Sequence, residues 1–291
     1  MIEMARDASG LWKQGVAGDT LNTAWYFRRC TDEQDWSVDY FTRLGTDRYS
    51  DRIRAFLSAA GIGTAHIARD PARQPGLYLI DLDAGERSFT YWRGQSAARL
   101  LADDEPALRA AIEAADVVYF SGITLAILAP DRREVLLSLV AGARQAGAVT
   151  VFDPNIRLRL WESEAQARRC IAAAAGAAAI ALPSFDDERT LFGDKTPEAC
   201  VRRYLASGSG EAVVKNAGGD VWIADASGPR CLSVGERVDP VDTTGAGDAF
   251  NGACLARRLG GADLPEAARY GHAVAREVVR HHGALVEAAI G

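Results

Sequence analysis

A glycine-rich turn that opens a helix and ends in a carboxylate could carry out group-transfer chemistry. Residues 239–250 read D-P-V-D-T-T-G-A-G-D-A-F. The small residues Gly245, Ala246 and Gly247 let an anionic group approach the unpaired amide groups of a helix N-terminus. Asp248 follows directly and could accept a proton from a hydroxyl group. An anion cradle beside a carboxylate suits the transfer of a phosphoryl group onto a hydroxyl group.

Two other phosphate-binding patterns do not fit this stretch. It lacks the G-x-x-x-x-G-K-[ST] spacing of a Walker loop. No short strand–turn–helix unit with a following acidic residue marks a dinucleotide site around it. A bare G-A-G-D string is equally compatible with an ordinary helix N-cap without a ligand, since aspartate is favoured near helix starts.

Composition indicates one globular protein of 291 residues, with 48% hydrophobic and 25% charged residues. The net charge of −6 argues against nucleic acid or an anionic membrane surface as a partner. The five cysteines form no C-x-x-C pair, which predicts free thiols and a cytoplasmic location. The longest apolar run, residues 171–182, is too short to span a bilayer.

Strands and helices alternate along the middle and the C-terminal part of the chain. This alternation predicts an α/β fold in which helices cover both faces of a mostly parallel sheet. We expect strands at residues 117–122, 149–155, 179–182 and 212–215, and helices at 131–146, 163–174, 245–259 and 264–281. Ligands of such sheets lie beyond the carboxyl ends of the strands. Polar side chains follow these ends at Ser121, Asp153, Asn155, Arg157, Ser184 and Lys215.

A hairpin interrupts this pattern. Residues 76–82 and 87–93 both alternate in polarity, and residues 83–86 suit the turn between them. The hairpin could be an edge addition to the sheet or a lid over the strand ends. Its apolar face predicts pairing with a second copy of the chain.

The complete string at residues 239–250 resembles the C-terminal signature of the ribokinase-like (PfkB) family of carbohydrate kinases, in which the final Asp is the catalytic base. Residues 17–24 resemble the N-terminal substrate-binding segment of that family, with Ala17 in place of its first glycine. The resemblance covers nearly the whole chain. It implies a three-layer sandwich formed by one kinase domain at residues 1–291, with a small lid at roughly residues 11–20 and 64–93.

Three segments resemble the family members that phosphorylate a 2-keto sugar acid: residues 75–78 with 85–93, residues 121–128, and residues 152–157 with 160–161. This resemblance implies 2-keto-3-deoxy-D-gluconate as the substrate, its C6 hydroxyl as the acceptor and ATP as the donor. The residues implied in binding the keto acid are Tyr91, Arg93 and Arg157, and those implied in binding sugar hydroxyls are Gly18, Asp19 and Asn22. Arginine suits a carboxylate because it donates two parallel hydrogen bonds. Tyr78 fits either the pocket wall or the hairpin core.

The resemblance also implies a nucleotide site. Positions matching the phosphate and nucleotide contacts of the family are Asn155, Arg157, Ser184, Lys215 and Gly218, together with Gly245 and Gly247. Ala217 stands where the family loop K-x-G-x-x-G has its first glycine. Asp187 or Glu188 would hold Mg²⁺ through water, and Asp242 with Thr244 would bind a monovalent cation.

Two rival functions and one departure accompany this interpretation. The rivals are a kinase for another sugar, such as fructose, and a catalytically silent binding protein on the same fold. The departure concerns the apolar strand with which family members usually begin, ahead of a segment like Met1–Met4; this strand is not in the sequence. We therefore expect the natural chain to start upstream, and a homodimer to form through the lid.

Overall fold

The computed structural model describes residues 1–6, 10–83, 86–235 and 237–290. Its strands are β1 (Ile2–Arg6), β2 (Trp12–Val16), β3 (Thr42–Gly45), β4 (Ile67–Asp70), β5 (Leu77–Asp83), β6 (Glu86–Trp92), β7 (Val117–Ser121), β8 (Val149–Asp153), β9 (Ile180–Ala181), β10 (Glu211–Val214), β11 (Val221–Asp225) and β12 (Gly228–Leu232).

The helices are α1 (Asp19–Arg29), α2 (Arg48–Ala59), α3 (Glu105–Glu113), α4 (Gly122–Ile127), α5 (Pro130–Gln145), α6 (Glu164–Ala177), α7 (Phe185–Phe192), α8 (Pro197–Ala206), α9 (Ala246–Leu259) and α10 (Leu264–Val278). Short 3₁₀ turns lie at Ala97–Leu100, Leu158–Leu160 and Glu287–Ala289. Side-chain caps fix several helix starts: Ser121 caps α4, Ser163 caps α6 and Thr196 caps α8.

The main sheet has the order β12-β11-β10-β9-β8-β7. β7 to β10 run parallel, and β11 and β12 continue as antiparallel strands. The predicted strands and helices of this region are confirmed within a few residues at each end. Long apolar runs explain the agreement, because strands buried on both faces carry continuous apolar residues.

Two apolar layers cover the sheet. On one face Phe152 packs with Leu125, Leu136 and Ile171 from the neighbouring helices. On the other face the strand residues pack against α9 and α10, whose buried contacts include Phe250 and Leu264. The helix–sheet–helix arrangement confirms the predicted three-layer α/β architecture.

The lid is a separate four-stranded sheet of order β2-β1-β5-β6. β5 and β6 form the predicted hairpin, whose turn contains residues 84 and 85, which lie outside the described residues. The predicted lid ranges were wrong in two respects. β1 belongs to the lid and pairs with both β2 and β5. β4, which the prediction placed in the lid, pairs instead with β3 in a two-stranded parallel sheet.

A gap separates the two-stranded sheet from the main sheet. A cavity of about 1220 Å³ lies between them, lined by Thr42 and Leu44 of β3 and by Val117 and Tyr119 of β7. Met1 lines the same cavity, and its amino group donates a hydrogen bond of 2.8 Å to the carbonyl oxygen of Ala17. Burial lowers the pKa of this amino group to about 6. Within the described residues, no strand pairs β3 with β7.

We expect an extended apolar segment of about five residues, joined ahead of Met1, to enter this gap and to raise the free energy of unfolding. It would pair the exposed edges of β3 and β7 and would replace a buried amino group with a peptide group that pairs with the neighbouring strands. A gain on the order of 2 kcal/mol or more is expected in urea unfolding. A glycine–serine extension of equal length is the control. Equal stability of both extended proteins would contradict this prediction.

Candidate active site

Gly245 shapes the turn ahead of α9. It adopts a left-handed conformation with φ 74° and is the N-cap of the helix. A Cβ atom at this position would lie 2.7 Å from the carbonyl oxygen of Ala284. Both the backbone angle and the close packing therefore require glycine here. Gly247 differs, because the nearest atom to its Cβ position is Nζ of Lys215 at 3.9 Å.

The first turn of α9 is open to an anion. Within the described residues, the amides of Gly247 and Asp248 have no hydrogen-bond partner, whereas the amide of Ala249 already donates to Gly245. The helix dipole adds positive potential at this end. Gly245, Gly247 and Asp248 line the cavity, as does Lys215. These donors fit the phosphate groups of a nucleotide, as the resemblance implied.

Asp248 is held by an amide from another helix. Nδ2 of Asn22 in α1 donates to Oδ2 of Asp248 over 2.8 Å. The amide of Gly18 in turn donates to Oδ1 of Asn22 over 3.3 Å, which orients the side chain. The two helices approach closely at Gly252, where a Cβ atom would lie 2.6 Å from the carbonyl oxygen of Thr23. This close approach places Asp248, in the first turn of α9, against the sugar-binding segment predicted for α1.

The environment makes Asp248 a stronger base than an ordinary aspartate. Desolvation raises the pKa of its carboxyl group well above the usual value, and the negative charge of Asp19 adds to the rise. The hydrogen bond from Asn22 and the positive charge of Lys215 act in the opposite direction. A carboxylate of raised pKa takes up a hydroxyl proton more readily.

Asp19 lies at the junction of three elements. Its Oδ2 accepts hydrogen bonds from Oγ of Ser121 at 2.6 Å and from Nδ2 of Asn155 at 3.3 Å. Asn155 follows β8 and has a positive φ of 32°, which asparagine tolerates better than most residues. Desolvation raises the pKa of Asp19. The predicted residues Gly18, Asp19, Asn22 and Asn155 are thus brought together at one wall of the cavity.

A second hydrogen-bond network fixes Lys215, which lines the cavity. Its Nζ donates to Oδ1 of Asn251 over 2.8 Å and lies 3.4 Å from the carboxylate of Asp153. Nδ2 of Asn251 donates to the other oxygen of Asp153 over 2.8 Å. The sequence analysis placed Asp153 at a strand end where ligands bind, but it did not single out Asn251. The position of Asn251 one helical turn after Asp248 was the available signal.

Three arginines line the cavity near the lid: Arg93, Arg157 and Arg159. Arg157 forms an ion pair of 3.0 Å with Asp187. The guanidinium groups of Arg93 and Arg159 lie 4.5 and 4.1 Å from the ring centroid of Tyr91. The structure thus brings the predicted Tyr91, Arg93 and Arg157 to one cavity. Arg159 was missed by the sequence analysis, although it follows Arg157 by two residues.

Tyr78 serves the hairpin core and the cavity at once. Its side chain is buried, and its hydroxyl group donates to Glu3 of β1. The ring stacks on that of Tyr91 with a centroid separation of 5.6 Å and borders the cavity. The two alternatives left open by the sequence therefore both describe this residue.

Some of the predicted nucleotide-binding residues line the cavity, and others do not. Ser184 and Lys215 line the cavity and form a parallel bridge to each other. Gly218 and Ala246 are not among its lining residues. Ala217 has a left-handed φ of 47°, a conformation that favours the glycine found at this position in the resembling loops.

Glu188, one of the two acidic residues offered as alternatives for Mg²⁺, does not line the cavity. Its carboxylate is fully buried, accepts a hydrogen bond of 2.8 Å from the hydroxyl group of Tyr204 and pairs with Arg203 at 2.6 Å. Arg203 also pairs with Asp194, so one guanidinium group serves both carboxylates. Burial raises the pKa of Glu188 to about 7. Asp187, which faces Arg157, is the remaining acidic candidate near the recess.

Asp242 fastens the glycine-rich turn. Its carboxylate accepts the amides of Thr244 at 2.9 Å and Gly283 at 2.7 Å. These hydrogen bonds tie the turn to the chain beside Ala284, which packs against Gly245. The monovalent-cation role of Asp242 and Thr244 stays a prediction.

We expect Gly245→Ala to be far more damaging than Gly247→Ala. The first change strains a left-handed residue and drives a methyl group into Ala284, at a cost of about 2 kcal/mol or more. The second places a methyl group in open space. Urea unfolding and turnover measurements on both variants test this, and equal loss of stability would contradict it.

Comparison with known proteins places these features in a family. The model of the "pfkB family carbohydrate kinase" matches residues 7–288. The chain is 37% identical over 297 residues to a 2-dehydro-3-deoxygluconokinase of Haemophilus influenzae, covering 99% of this chain and 93% of the relative. A fructokinase of Vibrio alginolyticus is 30% identical over 224 residues, covering 75% of this chain and 70% of the relative.

Solved structures agree in fold. A PfkB protein from Polaromonas superposes with a TM-score of 0.83 at 26% identity, covering 99% of this chain and 95% of the other. A fructokinase from Xylella fastidiosa with bound ATP gives 0.84 at 23% identity, covering 100% and 92%. Because the family model spans nearly all of its length, the chain belongs to the pfkB family of carbohydrate kinases.

Proposed function

We propose that the protein is an ATP-dependent 2-dehydro-3-deoxygluconokinase, which transfers the γ-phosphoryl group of ATP to the C6 hydroxyl group of 2-keto-3-deoxy-D-gluconate. One observation carries this proposal: the basic carboxylate of Asp248 adjoins an anion cradle in the same cavity that holds Arg93 and Arg157. The similarity to the Haemophilus influenzae relative over 99% of this chain supports the choice of substrate.

Asp248 is the general base of this reaction. Its free carboxylate oxygen takes the proton of the C6 hydroxyl group while the hydroxyl oxygen forms a bond to the γ-phosphorus. The bond between that phosphorus and the β–γ bridging oxygen breaks, and ADP leaves with the electron pair. Asn22 keeps the carboxylate aimed into the cavity through its hydrogen bond of 2.8 Å.

The cradle stabilises the charge that develops on the transferred group. The unpaired amides of Gly247 and Asp248 and the ammonium group of Lys215 offer fixed donors to phosphate oxygens. These donors need no rearrangement during transfer. Mg²⁺, held mainly by phosphate oxygens and by Asp187 through water, would supply further neutralisation.

The arginines select an acidic substrate. Arg93 and Arg157 both line the cavity, and a planar guanidinium group binds a carboxylate through two parallel hydrogen bonds. Desolvation lowers the pKa of Arg93, with the positive charges of Arg159 and Arg157 contributing, so an incoming carboxylate would offset an unfavourable concentration of positive charge. Among the described residues Arg93 has no carboxylate partner, and a neutral sugar such as fructose would leave its charge uncompensated.

The proposal extends to the setting of the enzyme. The five cysteines are all free, which suits a reducing cytoplasm. None of the helices described combines the length and the apolar character required to cross a bilayer. Trp12, Phe89 and Trp92 are exposed on the lid strands, so we propose that two lids pair in a homodimer.

We expect ADP release with Mg-ATP to be strong with 2-keto-3-deoxygluconate and weak with fructose, ribose and gluconate. Asp248→Asn should lower kcat by about 10²-fold or more, because proton removal typically contributes that much, while ATP binding persists. Isothermal titration with a non-hydrolysable ATP analogue checks the second point. Preference for a neutral sugar would overturn the assigned substrate, and normal turnover by the variant would exclude Asp248 as the base.

The pH dependence of kcat/KM should reflect the raised pKa of Asp248. The base must be deprotonated, so activity falls as the pH drops through a midpoint well above the ordinary aspartate value. Lys215→Met should move this midpoint to still higher pH, because the lysine charge favours the carboxylate form. An acid limb at the ordinary aspartate value in both proteins would contradict this account.

A further inference from the structure

Arg159 connects the body of the protein to the lid. It lies in the 3₁₀ turn Leu158–Leu160, which follows β8 of the main sheet. Its guanidinium carbon lies 4.1 Å from the ring centroid of Tyr91, which belongs to lid strand β6. A cation over an aromatic face is attracted by the ring quadrupole, so this contact places the guanidinium group at the border between body and lid.

The charge of Arg159 is not neutralised by the protein. Within the described residues, neither Arg159 nor Arg93 forms an ion pair with a carboxylate, although both line the cavity. Elsewhere, cavity-lining Arg157 pairs with Asp187, and the body residue Arg258 pairs with Glu211 at 2.5 Å. Two unpaired guanidinium groups over one tyrosine ring are an arrangement that an anionic ligand would complete.

We propose that Arg159 is a specificity-determining residue, which together with Arg93 binds the carboxylate of the sugar acid. The proposal rests on the proposed function and deepens it, since it assigns the acid end of the substrate to a pair of residues from two different elements. Arg93 follows the lid strand and Arg159 comes from the body. The substrate carboxylate would thereby accept hydrogen bonds from one arginine of the lid and from one arginine of the main body.

The position of Arg159 near Arg93 would favour a sugar acid over a neutral sugar as well as bind its carboxylate. Desolvation lowers the pKa of Arg93, and repulsion by the positive charge of Arg159 lowers it further. A carboxylate relieves the repulsion and accepts two hydrogen bonds from each planar group it faces. The hydroxymethyl group of a neutral analogue does neither, so it gains no compensation for the desolvation of Arg93. The contact with Tyr91 limits the orientations that Arg159 adopts and prepares it for binding.

Arg159→Gln tests the inference directly. We expect the KM for 2-keto-3-deoxygluconate to rise about 10- to 100-fold, as for the loss of a hydrogen bond between charged groups. The kcat and the KM for ATP should change little, because the proposed role of Arg159 is to bind the substrate carboxylate and not to assist proton transfer to Asp248. The analogue 3-deoxyfructose, which carries a hydroxymethyl group in place of the carboxylate, should be used equally well by the variant and the original protein.

Arg189→Gln is the matched control. Arg189, like Arg159, is exposed and lies over an aromatic ring, that of Phe185, but it pairs with Asp186 and does not line the cavity. Its removal should leave the KM for the keto acid unchanged. Thermal unfolding of both variants identifies any general loss of structure, and Arg159→Lys should recover part of the affinity by restoring the charge.

Three outcomes overturn the inference: an unchanged KM for the keto acid in Arg159→Gln, an equal loss with 3-deoxyfructose, or an equal loss in Arg189→Gln. These differ from failure of the proposed function itself. In that case the original protein would not phosphorylate 2-keto-3-deoxygluconate at all, whatever residue stands at position 159.

Discussion

The site depends on holding three carboxylates, those of Asp19, Asp153 and Asp248, in one cavity without pairing Asp248 directly with a cation. Desolvation raises the pKa values of Asp19 and Asp248, and the negative charge of Asp153 adds to both rises. Each receives donors of a different kind. Ser121 and Asn155 bind Asp19, Lys215 and Asn251 bind Asp153, and Asp248 receives the neutral amide of Asn22. Asp248 therefore stays positioned and basic.

The fold can be understood as the scaffold that this arrangement needs. Asn22 reaches Asp248 because α1 and α9 pack closely at Gly252, where no side chain would fit. Asp153 and Ser121 reach the same recess because their strands, β8 and β7, are parallel neighbours and end at one edge of the sheet. The lid then adds Tyr91 and Arg93 from a different sheet. In the proposed function, acid recognition and proton transfer thus come from separate parts of the protein that meet in one cavity.

Sequence reasoning succeeded where local chemistry determines structure. The glycine-rich turn before α9, the hairpin of β5 and β6 and the alternating core elements follow from small residues, period-two alternation and apolar runs. It failed where the partner lies far along the chain. Glu188 follows Asp187 in the first turn of α7, and composition alone cannot indicate that one carboxylate turns inward to Arg203 while the other faces Arg157.

The lid membership of β1 and the role of Arg159 have the same origin. β1 pairs with β5 across more than seventy positions, and Arg159 contacts Tyr91 across nearly as many, so neither contact leaves a local pattern. The separation of β3 and β4 from the main sheet likewise depends on which strands pair, and strand partners far along the chain leave no local pattern. The family resemblance supplied the roles of matched positions, but not the partners that orient them.

A structure of the protein with 2-keto-3-deoxygluconate and a non-hydrolysable ATP analogue would show how the substrate lies in the cavity. We expect the C6 hydroxyl group within hydrogen-bond distance of Asp248, opposite the γ-phosphate at the first turn of α9, with the substrate carboxylate among the arginines beside Tyr91. The reverse orientation, with the carboxylate toward Asp248 and the C6 hydroxyl group toward the lid, would contradict it.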